Sequence, residues 1–230
     1  MRALLLPVKD LKNAKKRLMG VLRPEERAGL AEAMLADTIR AVRGVRRADK
    51  IFVITNYEPM MSLAEKNGWE ILREERQVSE SDSVDTASRI CEKAGVEALL
   101  RVPLDLPLLQ SRDIDELLEF EFAAPALVIV PSRDGTGTNA MLRTPPTLFP
   151  SHFGNGSFAK HLAEAQNAGA RVMVRRNPRL EMDVDDESDL RALLKHDLSG
   201  TETGRWLRET GVELRFRPAT AGSVRIAAKG

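Results

Sequence analysis

The 230-residue sequence predicts an α/β fold, a mostly parallel sheet with helices on both faces. Two patterns carry the prediction. Short apolar runs that read as buried strands alternate along the chain with longer amphipathic segments of helical period. Strands alternating with helices in turn imply right-handed βαβ units and therefore parallel strands. With 43% hydrophobic residues the chain can bury one large core.

Taken in order, strands are expected over Ala3 to Val8, Lys50 to Thr55, Glu70 to Leu72, Ala98 to Val102, Ala126 to Pro131 and Arg171 to Val174. The first helix starts at Pro24, a first-turn proline, and continues through Leu30, Met34, Leu35, Thr38, Ile39 and Val42 to Gly44. Further helices are expected over Glu58 to Lys66, Val84 to Lys93, Arg112 to Phe120, Phe158 to Asn167, Glu187 to Leu194 and Thr201 to Thr210. Val212, Leu214 and Phe216 alternate with charged residues and suggest an edge strand. The expected domain spans residues 1–218, followed by a mobile tail over 219–230.

Composition removes several function classes. Lys and Arg total 35 against 34 Asp and Glu, so there is no overall positive field for coating nucleic acid. The single cysteine, Cys91, forms no intrachain disulfide, and three scattered histidines do not suggest a zinc cluster. No apolar stretch has the length of a membrane span, and Pro7 with Lys9 breaks the opening run too early for a signal peptide. A cytoplasmic protein that binds neither membrane nor nucleic acid is expected.

In a fold of this class chemistry gathers outside the carboxyl ends of the strands. The loop after the first apolar run, PVKDLKNAKKRL, is locally basic, with Lys9, Lys12, Lys15, Lys16 and Arg17. In RVPLDLPLL, Asp105 is the only charged residue in the run of eight from Val102 to Leu109. A cation would satisfy it, and an aspartate capping the turn at Pro107 explains it equally. In LEMDVDDESDL, Asp183 and Asp185 stand two apart at what reads as a strand end, side by side and repelling unless a cation such as Mg²⁺ lies between them. Asp186 and Asp189 fall where the next helix begins and read as caps.

Two neutral stretches complete the pattern. DGTGTNAMLR places Thr136 and Thr138 at strand spacing after two glycines, which suits an oxyanion but also a plain hairpin. HFGNGSFAKHL puts Gly154 and Gly156 before Ser157 at a helix start, an anion cradle or simple capping, with His161 one turn on as a packing residue. A polar segment, RQVSESDSVDTASR, leads into a helix at Ser83 and could read a base or ribose. Together these features describe metal-assisted phosphoryl chemistry on two phosphorylated partners. Neither a P-loop nor a G-x-G-x-x-G fingerprint is present.

The ordered set LLLPVKDLKNAKKRL, DLPLL, GTGTNAM, FGNGSFAKHLAEA and LEMDVDDESDL resembles the guanylyltransferases of deazaflavin coenzyme biosynthesis, and the likeness covers most of the chain. That family joins GTP to 2-phospho-L-lactate or, in bacterial members, to phosphoenolpyruvate. The resemblance implies a single Rossmann-like nucleotidyltransferase domain, GT-A-like in arrangement. It implies that Asp105, Asp183 and Asp185 hold magnesium and that Thr138, Gly154 and Ser157 contact the phosphorylated three-carbon acid. Lys9, Lys15 and Arg17 would serve the GTP phosphates, with Lys15, Arg17 and Asp105 as the catalytic set; the resemblance does not fix the guanine-recognising residues, which are expected in the segment Ser79 to Ser83, with Ser83 on the nucleotide. Lys12 and Lys16 read as solvated neighbours. A downstream deazaflavin-coupling transferase would consume the product. The wider superfamily has a glycine-rich first loop; here it is proline and lysine. A transferase for a sugar phosphate or a molybdopterin-type cofactor would share the aspartates, and a non-catalytic GTP-binding module is the remaining alternative. No motif separates phosphoenolpyruvate, 2-phospho-L-lactate and 3-phosphoglycerate, which differ by a few atoms.

Overall fold

A computed structural model describes residues 1–11, 14–121 and 123–216. Lys12 and the expected tail over 219–230 lie outside the described residues, as does the end of the expected domain at 217–218. The strands are β1 (Arg2–Val8), β2 (Lys50–Thr55), β3 (Glu70–Arg73), β4 (Ala98–Arg101), β5 (Ala126–Pro131), β6 (Thr138–Thr144) and β7 (Arg171–Val174). They form a seven-stranded sheet in the order β3-β2-β1-β4-β6-β5-β7. The helices are α1 (Pro24–Arg43), α2 (Glu58–Lys66), α3 (Glu80–Lys93), α4 (Ser111–Leu118), α5 (Ser157–Asn167), α6 (Glu187–Leu193), α7 (Glu202–Glu209) and α8 (Val212–Phe216).

Strand β1 shows why the sheet lies inside the molecule. Leu4, Leu6 and Val8 pack into one apolar cluster, and Ala3 and Leu5 into another on the opposite face. A strand buried on both faces needs helices on both, as expected of parallel sheets. Each fully buried leucine contributes roughly 2 kcal/mol of transfer free energy. Strands β2 and β4 flank β1 in parallel register on opposite sides, which makes the gap between β1 and β4 the switch point of the sheet.

Two elements differ from the expectations. Strand β6 falls where a Gly/Thr-rich hairpin was the only alternative to an anion loop, and it runs antiparallel to both β4 and β5. Its signal was hidden by Arg143, a charge inside an apolar strand. Arg143 is 2% exposed, donates to the Phe149 carbonyl at 2.6 Å and to Ser88 Oγ at 2.7 Å, and lies 3.6 Å from Asp85. The expected edge strand at Val212 is instead helix α8. Val212 and Phe216, four apart, are both buried beside Leu18 and Leu22, while Leu214 between them is 63% exposed, so the helical period wins over alternation.

Because β6 is antiparallel, its first residues lie at the same end of the sheet as the carboxyl ends of the parallel strands. Thr138 opens β6, opposite Pro131 at the end of β5, where the register shifts by a bulge.

Candidate active site

A cleft of ≈ 790 Å³ lies at this end of the sheet. It draws on the loop after β1, the loop after β4, the β5–β6 turn, the segment entering α5 and the loop before α6. Lys9, Lys15, Arg17, Asp105, Thr138, Gly154, Ser157, Asp183 and Asp185 all line it, so the structure brings together residues separated by as much as three quarters of the chain.

Lys15 is at the centre. Its ammonium donates to Asp105 Oδ2 at 2.7 Å and to Asp185 Oδ1 at 2.9 Å, and its side chain is only 8% exposed. Burial opposes its charge, but the fields of Asp105 and Asp185 prevail and raise its pKa above the ordinary lysine value, so the amine stays protonated. Asp105 is held below the usual carboxylate range: burial would raise it, and the Lys15 charge outweighs that effect. Lys15 itself has φ 55° and ψ 42°, a left-handed backbone otherwise confined here to glycine among the described residues. Such a conformation costs of order 1 kcal/mol, and the paired carboxylates over-determine it. Arg17 adds a second positive charge 3.7 Å from Asp185 Oδ2.

Asp183 and Asp185 do not end a strand. They lie in a loop between β7 and α6, and the period of two survives there because Met182 and Val184, on either side of Asp183, are anchored in the core. Asp183 accepts from Asn139 Nδ2 at 3.1 Å. Burial, and then the charge of Asp105, push its carboxyl up to about 6, with Asp185 and Asp189 adding to the effect against the Asn139 bond. Asp186 caps α6 in a reciprocal pair with Asp189, as expected.

The acidic donors suit a hard divalent cation in their chemistry. Among the described residues, however, no three His, Cys, Asp or Glu side chains form a metal-holding cluster. The Lys15 ammonium fills the gap between Asp105 and Asp185, so the site shows a demand for positive charge that the protein itself meets in part.

On the other wall, Gly154 (φ 114°) and Gly156 (φ 67°) turn the chain into α5. The Ser157 N–H donates to the Gly154 carbonyl and the Phe158 N–H to the Thr136 carbonyl, so these two amides are not the free donors expected of an anion cradle. Ser157 lines the cleft beside Thr138 and Gly154.

Ser83 does not join the site. Helix α3 begins earlier than expected, capped by Ser79, so Ser83 sits inside it with 3% exposure and its hydroxyl donates to the Ser79 carbonyl at 2.9 Å. From the same stretch Glu80 reaches the cleft instead, paired with Arg101. Lys16, expected as a bystander, is exposed but also lines the cleft.

Sequence reasoning missed three cleft residues. Arg101 is 5% exposed, donates to the Asn139 carbonyl at 3.0 Å and stacks 4.2 Å from the Phe153 ring centre. Its signal was a charge closing an apolar strand. Asn139, which binds Asp183, and Arg133, which holds Asp189 at 2.8 Å, carried no such signal, since polar residues in polar stretches look like surface.

Comparison with known proteins shows the family and the fold. Residues 1–229 match the protein family described as Guanylyl transferase CofC like. The chain is 37% identical over 188 residues to the phosphoenolpyruvate guanylyltransferase of Rubrobacter xylanophilus, covering 82% of this chain and 91% of that one. It is 32% identical over 212 residues to the 2-phospho-L-lactate guanylyltransferase of Methanothermobacter thermautotrophicus, covering 92% and 90%. Among solved structures, a Desulfovibrio desulfuricans G20 protein grouped by its description with the nucleotide-diphospho-sugar transferases superimposes with a TM-score of 0.74 at 14% identity, covering 94% of this chain and 97% of that one. That last likeness concerns the fold.

Proposed function

The chain belongs to the CofC-like guanylyl transferase family, and from that premise we propose that it joins GTP to phosphoenolpyruvate or 2-phospho-L-lactate with release of pyrophosphate, a step in the biosynthesis of the deazaflavin coenzyme. The observation that carries the reading is the Lys15 ammonium fixed between Asp105 and Asp185 in one cleft with Thr138 and Ser157. A positive locus on an acidic floor, facing a wall of hydroxyls, suits two phosphorylated reactants.

In the reaction, a phosphate oxygen of the acid attacks the α-phosphorus of GTP in line. One P–O bond forms, the bond to the β-phosphate breaks, and its electron pair leaves with pyrophosphate. Lys15 does not act as a nucleophile, because its neighbours keep it protonated. It and Arg17 stabilise the charge that builds on the leaving group, with Lys9 holding the outer phosphates. Thr138, Gly154 and Ser157 orient the acid so that its phosphate faces the α-phosphorus. Asp105, Asp183 and Asp185 are the residues that would hold magnesium, whose chemistry when bound is to screen the repulsion between the two anionic reactants. The product passes to a deazaflavin-coupling transferase. Among the described residues no helix is long and apolar enough to cross a membrane.

The test is pyrophosphate release from GTP and Mg²⁺ with phosphoenolpyruvate, 2-phospho-L-lactate or 3-phosphoglycerate supplied singly, and with the coupling transferase present as a trap. Release that depends on one acid and on GTP rather than CTP or UTP is expected. Release at the same rate without any acid would refute the proposal.

A further inference from the structure

The Thr138 hydroxyl ends a chain of hydrogen bonds whose direction the geometry fixes. The backbone N–H of His152 donates to Nε2 of His161 at 2.8 Å. A backbone amide can only donate, so Nε2 carries no proton. Burial, and then the charges of Arg143 and Arg101, push His161 down to about 3, so the ring is neutral and has one N–H. That proton is therefore on Nδ1, which stands 3.0 Å from Thr138 Oγ1. The hydroxyl oxygen accepts from the ring, and its own hydrogen is left for another acceptor. No acceptor among the described residues takes it, and Thr138 lines the cleft.

His161 is fully buried and does not itself reach the cleft. Its ring is wedged edge-on against Phe153 at 5.1 Å between centres and lies 5.9 Å from Phe149, so it cannot turn over without unpacking both. We propose that His161 is a positioning residue that locks the Thr138 hydroxyl as a donor, so that the place before it accepts an anionic oxygen and rejects a group that donates. The inference rests on the acid-binding role given to Thr138 and deepens it. The oxygen concerned is a phosphate or carboxylate oxygen of the three-carbon acid. A ring of the opposite tautomer would leave the His152 amide unpaired and let the hydroxyl face the ring, removing one donor from the substrate. Neutrality also matters: the lock works without adding charge beside Arg101 and Arg143.

Two measurements decide it. Long-range nitrogen–proton correlation spectra of the ligand-free protein, labelled on histidine, report which ring nitrogen of His161 is protonated. Nδ1–H is expected, and Nε2–H would overturn the proposal whatever the substrate proves to be. Steady-state kinetics on Thr138→Ala, His161→Leu and the double variant supply the second. Thr138→Ala should raise KM for the acid by about tenfold, the factor for one hydrogen bond worth about 1.4 kcal/mol, and His161→Leu by a smaller factor of about threefold, because the hydroxyl keeps its hydrogen and loses only its orientation; both should leave KM for GTP within about twofold. The double variant should be no worse than Thr138→Ala alone. If losses multiply in the double variant, or KM rises alike for both substrates, His161 merely supports the core and the proposal fails. His161→Asn keeps an N–H near the Nδ1 position and serves if the leucine variant does not fold; acid KM close to that of the parent is expected, and a rise of about threefold or more would count against the lock. Turnover with none of the acids would overturn the acid assignment and the proposed function, while the tautomer result would still decide the hydrogen-bond direction separately.

Discussion

Replacing Asp183 by Asn should make the protein more stable and less active. In the native state its carboxyl is pushed up to about 6 from the ordinary value of 3.8, chiefly by burial and by Asp105. At about 1.36 kcal/mol per pKa unit that difference corresponds to about 3 kcal/mol, and partial solvent exposure reduces it to about 1–3 kcal/mol. The native state keeps this proton up to about pH 6, whereas the unfolded chain releases it near 3.8, so between these limits the native state binds more protons and its stability falls as pH rises. Above pH 6 the whole cost is present; below 3.8 it vanishes. The asparagine variant exchanges no proton there. Its advantage over the parent should be near zero at pH 3.5, grow to about pH 6 and stay level beyond, reaching a Tm gain of about 2–10 °C at pH 8 for a chain of this size. Thermal melts of both proteins across this range, in chelator so that no divalent ion offsets the repulsion, measure it directly. A gain that is flat across the range, or a parent that is more stable at pH 8, would refute the electrostatic reasoning. Loss of guanylyl transfer in the more stable variant would mark the charge as one kept for function.

Three further outcomes are expected. Lys15→Met removes the cation between Asp105 and Asp185 and should lower Tm in chelator, with millimolar Mg²⁺ restoring more stability to the variant than to the parent; a melt indifferent to Mg²⁺ in both would count against the carboxylates as donors. Gly204→Ala should cost about 1–3 kcal/mol in denaturant unfolding, because its Cβ would stand 2.2 Å from the Leu198 carbonyl oxygen, which is backbone and cannot swing aside. The Cys91 thiol, buried and pushed up to about 11, should resist alkylation at pH 8 and react only at the rate of unfolding; rapid labelling of the folded protein would show an opening of α3.

Most strands were legible because a parallel sheet buried on both faces writes itself as unbroken apolar runs; Lys50 to Thr55 and Ala126 to Pro131 are found with the expected ends. Strand β6 was not, because Arg143 breaks the run and its compensation comes from Ser88, Asp85 and the Phe149 carbonyl, all distant in sequence. The same limit governed the cleft. Asp105 stood out as a lone charge in an apolar run, which needs a partner, and Asp185 by its spacing from Asp183, whereas Lys15 was singled out of the basic loop only by the family resemblance. Asn139 and Glu80 serve the cleft through neighbours that only the fold supplies. Ser83 misled because a serine just inside a helix start and one in a binding loop have the same surroundings in sequence.

Thr138 and Asn139 are consecutive residues of one strand and face opposite sides of the sheet, Thr138 toward His161 and Asn139 toward Leu180 and Asp183. The residue assigned to the acid and the residue that holds the aspartate assigned to the metal are thus joined by a single peptide unit, their Cα atoms about 3.8 Å apart. That spacing is covalent. Whatever the surrounding loops do, Thr138 and Asn139 keep that spacing, and a one-residue slip of β6 would turn each of them to the other face of the sheet.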